Sequence, residues 1–286
     1  MVTSKRIPVF FRSEVVPASR FFSPSTYKPE EVVNDWMTVG LPLEIQSFDP
    51  VLRADMYRAH IKSYVDGVMD CQLANGFGGM QPDVAQSLPF TCGALLAAAR
   101  AAISNGEIAC APVSGFHHAH YSSPGGFCTF NGLMIAALAL LDSGEAKRVG
   151  ILDLDQHYGD GTDDILAAVG PVEVVHTSAG ARRRTAKDAE AFLTRLPETI
   201  ETFSECSILI YQAGADPHIK DPLGGWMTTD QLARRDKIVF EQAKRMGLPV
   251  AWDLAGGYQR DSSGGIAPVL EIHRNTMMAC VAVFLA

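Results

Sequence analysis

The segment Gly150-Ile-Leu-Asp-Leu-Asp-Gln-His-Tyr-Gly-Asp-Gly161 ends an apolar run with Asp153, Asp155, His157 and Asp160 crowded onto one strand end and turn. Asp155 and His157 stand two apart, so their side chains share a face in extended chain, and a carboxylate beside an imidazole suits a divalent ion such as Zn²⁺. Taken alone, the segment is better explained as an acidic strand end capping the helix after Gly161, because a metal needs a third ligand from elsewhere. Three more segments supply candidates. They are Ser114-Gly-Phe-His-His-Ala-His120 with Pro124-Gly-Gly-Phe-Cys-Thr-Phe-Asn131, Tyr211-Gln-Ala-Gly-Ala-Asp-Pro-His218 with Asp221-Pro-Leu-Gly-Gly225, and Asp253-Leu-Ala-Gly-Gly-Tyr258. Singly, His117 and His118 read as a packed loop pair, Asp216 as a helix cap and Tyr258 as a core aromatic. Their co-occurrence is hard to reconcile with four independent structural roles.

The elements that must position these groups follow from hydrophobic period. Short β-rich runs at 7–11, 43–48, 149–154, 172–176, 207–212 and 249–254 read as strands. Helical patterns at 28–37, 54–73, 91–104, 131–141, 186–203, 228–246 and 265–284 lie between them. The alternation predicts an α/β chain with one open, mainly parallel sheet covered by helices on both faces, and ligands in such sheets bind beyond the carboxyl ends of the strands. Three of the four segments follow a predicted strand there. Residues 13–27 have no clear period and are expected to cover part of the site.

With 286 residues, a hydrophobic share of 47% and a charged share of 20%, the composition fits a globular core, read here as a single domain over 1–286. No apolar stretch approaches the roughly 20 residues of a membrane span, and the start is too weakly apolar for a signal peptide, so a cytoplasmic location is the default expectation. Six cysteines without C-x-x-C spacing argue against a disulfide framework or thiolate zinc site. A net charge of −8 and a pI near 5.5 leave no broad basic surface, so neither nucleic acid nor membrane is expected as a partner.

Together the tandem histidines, the G-F-C-x-F-N stretch, D-x-D-x-H-x-G-D-G-T, A-G-x-D-x-H with D-P-L-G-G, and G-G-Y resemble the zinc-dependent histone deacetylase family, which includes bacterial deacetylases and acetylpolyamine amidohydrolases. The resemblance runs from about Tyr57 to Tyr258 and implies the arginase-deacetylase fold. Residue by residue, it implies zinc ligation by Asp155, His157 and Asp216, a general base at His118, and an assisting His117. It implies that Asp153 stands behind His117 and Asp160 behind His118, fixing each imidazole's tautomer and raising its basicity. Tyr258 would hold the oxyanion, while Gly126 and Phe127, with Leu223 nearby, would line an acyl-lysine channel. The substrate implied is an acylated lysine or acylated small amine, hydrolysed by metal-activated water. A deacylase of small metabolites such as acetylpolyamines and a non-catalytic acyl-lysine binding protein are the alternatives, the latter disfavoured because Tyr258 and every ligand are present.

Arginase-like ureohydrolases hold two metals through D-x-H-x-D and D-x-D. Here Gly159 and His218 stand where the extra acids belong, so one metal is expected. Other features depart from the resemblance. The H-P-E-x-P pattern is not recognisable, with Pro17-Ala-Ser-Arg-Phe21 or Tyr27-Lys-Pro-Glu30 in that region, and little chain lies between Tyr64 and Thr91 for the insertion of acetylpolyamine amidohydrolases. Val174 aligns with a serine ligand of the structural potassium that many members carry, so K⁺ is left with one side-chain ligand fewer. In place of an aromatic channel wall stands Thr177-Ser-Ala-Gly-Ala-Arg-Arg-Arg-Thr185, where Arg182, Arg183 and Arg184 are expected to flank the mouth and disfavour polycations.

Overall fold

Successive residues of a strand face opposite ways, so a run with no polar side must be covered twice. The computed structural model describes residues 5–182 and 184–285 and bears this out. Its strands β1 (Ile7–Phe10), β2 (Leu43–Gln46), β3 (Ile108–Cys110), β4 (Val149–Asp153), β5 (Val174–Ser178), β6 (Ile208–Gln212) and β7 (Val250–Asp253) form one sheet in the order β2-β1-β3-β7-β6-β4-β5. Every pairing is parallel. The interior strands β4 and β6 are buried at every residue, whereas β2 and β5 form the half-exposed edges.

Around the sheet lie α1 (Lys28–Thr38), α2 (Arg53–Met56), α3 (Lys62–Met69), α4 (Pro82–Asn105), α5 (Gly132–Asp142), α6 (Asp160–Val169), α7 (Ala189–Glu201), α8 (Thr229–Met246) and α9 (Ala267–Phe284). The period of two divides the core. Val149, Ile151, Ile208, Ile210 and Ala251 pack with α4 and α5 on one face, while Leu152, Leu209, Tyr211, Val250 and Trp252 pack with α1, α7, α8 and α9 on the other.

All six expected strands are present, and β3 is the addition, too short at three residues to show a period. The expected helix 54–73 is divided into α2 and α3. The break is made by His60, buried with Nδ1 2.9 Å from His120 O and Nε2 accepting from Asn131 N at 2.9 Å, next to Ile61 in extended conformation. The helix expected at 91–104 begins at Pro82 and runs through Pro89, whose carbonyl accepts from Val51 N at 3.1 Å. By length and composition this α4 could cross a membrane, which the sequence reading did not anticipate. Here it is a core helix, with Ala94, Leu95, Ala98, Ala99 and Ala102 wholly buried.

Candidate metal centre and active site

The strands that end at the site, β3, β7, β6 and β4, are consecutive in the sheet, so four loops distant in sequence leave its carboxyl edge side by side. The unanticipated β3 completes the set by delivering Ser114 to His118. From the loops after β4 and β6 come Asp155, His157 and Asp216, each offering a ligand atom within 4.8 Å of the others. Among the described residues this is the one such group.

Its chemistry asks for a cation. His157 Nδ1 lies 3.2 Å from Asp155 Oδ1 and 3.0 Å from Asp216 Oδ2. Hydrogen bonding to Asp155 and then Asp216 pushes this imidazole up to about 11, the electrostatic signature of a spot where two carboxylates want a positive charge. Burial and the charge of Asp155 push the Asp216 carboxyl upward, and its Oδ2 has no properly aligned donor despite the nearby imidazole. An unsatisfied buried carboxylate oxygen beside a second carboxylate and a ring nitrogen fits a divalent ion.

Backbone donors aim the ligands. Gln156 N donates to Asp216 Oδ1 at 3.0 Å, and Gly256 N donates to Asp155 Oδ2 at 2.8 Å. A Cβ at Gly256 would come within 2.4 Å of Asp216 Oδ2, so only glycine lets the β7 loop approach this closely.

The paired histidines stand above this group with ring centroids 4.1 Å apart. His117 Nδ1 lies 2.8 Å from Asp153 Oδ2, and His118 Nδ1 lies 2.6 Å from Asp160 Oδ1. A carboxylate only accepts, so each Nδ1 carries a proton and each Nε2 is left for chemistry. Their environments differ. Burial lowers the pKa of His117, but Asp153, Asp155 and Asp216 outweigh it and bring the group to about 9. Burial and the neighbouring His117 push His118 below its ordinary value, so it is the one available to accept a proton at neutral pH.

Tyr258 is nearly buried, with its backbone N–H donating to Asp221 Oδ2 at 2.8 Å. Burial, then the charges of Asp216 and Asp155, push its phenol well above its ordinary range, so it stays a donor. A narrow cleft above these groups is lined by Ser25, Gly126, Phe127, Cys128, Gly256 and Tyr258, among others. The aperiodic 13–27 stretch thus contributes through Ser25. Phe127 lies 5.8 Å from the Tyr258 ring, and Phe77 and Phe21 continue the aromatic wall outward at 6.1 and 4.5 Å. Gly126 has φ +46 and would press a Cβ to 2.3 Å from His118 Cδ2.

Leu223 is outside that lining; it is 39% exposed in the loop that Asp221 secures. His218 is engaged elsewhere, with Nε2 3.1 Å from Thr229 Oγ1. Arg184 folds back, its guanidinium over Phe192 and Trp226 and donating to Ala179 O, and lines a separate cleft with Arg182 and Arg195. Arg183 lies outside the described residues.

Several supporting residues escaped sequence reasoning. Gln212 Nε2 donates to Asp153 Oδ1 at 3.0 Å. Buried Arg235 donates to Leu154 O at 3.1 Å and Gly214 O at 2.8 Å, tying together the two loops that carry the metal-ligand candidates, and pairs with Asp236 at 2.7 Å. The signal for it was the charged pair interrupting the inward stripe Leu232, Val239 and Phe240 of α8. Lys28, wholly buried, donates to Ala255 O at 2.5 Å and so braces the loop leading to Tyr258; burial lowers its pKa to about 8 although Asp216 and Asp155 oppose that shift.

The chain is similar to known proteins. The family model described as the histone deacetylase domain matches residues 28–179 and 173–270. Histone deacetylase 2 of Arabidopsis thaliana is 32% identical over 178 residues, 55% of this chain and 46% of that protein. Acetylpolyamine amidohydrolase 2 of Pseudomonas aeruginosa is 56% identical over 50 residues, 18% of this chain and 14% of that protein. The chain therefore aligns with less than half the length of either curated relative. Among solved structures, the HD domain of HDA15 superposes with a TM-score of 0.75 at 19% identity, covering 98% of this chain and 90% of that one, a likeness of fold.

Proposed function

Because the chain belongs to the histone deacetylase family, we propose that it is a zinc-dependent amidohydrolase that removes the acetyl group from an acylated amine, with acetyl-lysine as the leading substrate. The observation that carries the reading is the convergence of Asp155, His157 and Asp216 beneath two carboxylate-braced imidazoles and a buried, protonated Tyr258. A simple amide resists water at neutral pH, so its hydrolysis requires both a stronger nucleophile and a place for the tetrahedral oxyanion. A divalent ion held by Asp155, His157 and Asp216 supplies Lewis acidity toward water and carbonyl.

The chain's own groups do the rest. His118 takes the proton from the attacking water through its free Nε2, with Asp160 holding the ring. His117, kept charged by Asp153, stabilises developing negative charge and is placed to return a proton to the leaving amine. The Tyr258 hydroxyl donates to the carbonyl oxygen as it becomes an oxyanion, and Gly126 and Phe127 flank the acyl-bearing chain.

Acetate release from acetyl-lysine peptides, acetylated polyamines and small acetylated amines tests the proposal on the zinc-loaded protein. Turnover of the peptides is expected. Full metal occupancy without turnover of any of them would leave a binding protein.

A further inference from the structure

Two basic side chains tie the Tyr258 loop to the N-terminal segment, one from inside the molecule and one from outside. Lys28, the first residue of α1, is wholly buried, and its Nζ donates to Ala255 O at 2.5 Å. A buried ammonium is costly unless acceptors and opposite charge offset it. Here the acceptor among the described residues is the Ala255 carbonyl, and the opposite charge comes through space from Asp216, Asp155, Asp253 and Asp221. Ala255 has φ +46, a left-handed conformation that a side chain disfavours. It is held from both sides, its N–H donating to Asp253 Oδ1 at 3.0 Å and its carbonyl accepting from Lys28. The next N–H, that of Gly256, is thereby aimed at Asp155 Oδ2.

On the outer side, exposed Arg260 donates from Nη1 to Tyr27 Oη at 2.9 Å and from Nη2 to Phe22 O at 2.9 Å, and it closes its own loop through Gly264 O at 2.9 Å. A planar guanidinium forked over three fixed oxygens sets direction as well as distance. Tyr258 lies between the two ties, and both lead to the segment 22–28, whose Ser25 lines the same cleft as Tyr258. The backbone aims the phenol, so whatever fixes residues 255–260 fixes the hydroxyl.

We propose that Lys28 and Arg260 are positioning residues for Tyr258, clamping the loop 255–260 against the segment 22–28 so that the phenol hydroxyl stays over the metal-ligand candidates. The consequence for turnover rests on the deacetylase reading; the clamp itself does not. The test is a double-mutant cycle on the zinc-loaded full chain, with Lys28→Met, Lys28→Arg and Arg260→Ala each made in wild type and in Tyr258→Phe. In wild type, Lys28→Met should lower kcat roughly 10–100-fold and Arg260→Ala roughly 3–10-fold, with KM and zinc content little changed, and Lys28→Arg should recover part of the loss. In Tyr258→Phe, where the hydroxyl is already gone, each change should cost less than about twofold. Arg260 is exposed, so its variant carries the cycle even if Lys28→Met fails to fold. With 3-fluorotyrosine replacing Tyr258, the fluorine-19 line should be single and sharp in the otherwise wild-type chain and broadened or split by Arg260→Ala. Equal losses with and without the Tyr258 hydroxyl, or an Arg260→Ala variant with unchanged kcat and an unchanged fluorine line, would overturn the proposal. If the wild type turns over no substrate, the deacetylase reading fails while the fluorine spectra still decide the clamp.

Discussion

Tyr258 serves the proposed reaction only while it keeps its proton, and burial beside Asp216 and Asp155 secures that. Tyr258→Phe removes one oxyanion donor and no metal-ligand candidate, so turnover should fall on the order of 10²–10³-fold with zinc content unchanged. Elemental analysis beside acetate release checks both halves. His118 sets the pH dependence in the opposite sense. Its folded pKa lies below the ordinary histidine value through burial and its neighbour His117. The base is lost as pH falls through that lowered pKa, so kcat/KM should stay level near neutrality and decline only below about 6.5. A decline already complete at neutral pH would assign the base elsewhere.

Among the elements, the loops after β3, β4, β6 and β7 carry the chemistry and the strands only aim them. The loop at Gly126 can pass His118 because it lacks a Cβ, and Gly126→Ala would push that ring off Asp160. We expect Gly126→Ala to lose most turnover while melting within a few degrees of wild type and retaining its metal; undiminished turnover would mean the contact is slack. Much of this level was legible in the sequence, because β4 and β6 are unbroken apolar runs that end in the ligand-bearing segments. Where the reading failed, the cause was tertiary. His60 breaks a helix through bonds to His120 and Asn131, and Pro89 is carried inside α4 with its carbonyl satisfied by Val51, neither of which local propensity encodes.

At the scale of the molecule, a parallel sheet with helices on both faces leaves one edge open, and the polar groups converge there. Asp155, His157 and Asp216 were legible through motif spacing, whereas Arg235, which ties together the loops that carry them, and Lys28, which braces the loop leading to Tyr258, carry no motif. The claim on which the rest depends is that this edge holds one divalent ion per chain, and metal content after mild dialysis tests it directly. Wild type should retain one equivalent of zinc, with acetate release proportional to occupancy, and Asp216→Ala should retain none. Two equivalents per chain, with activity requiring both, or full zinc content in Asp216→Ala, would contradict the account.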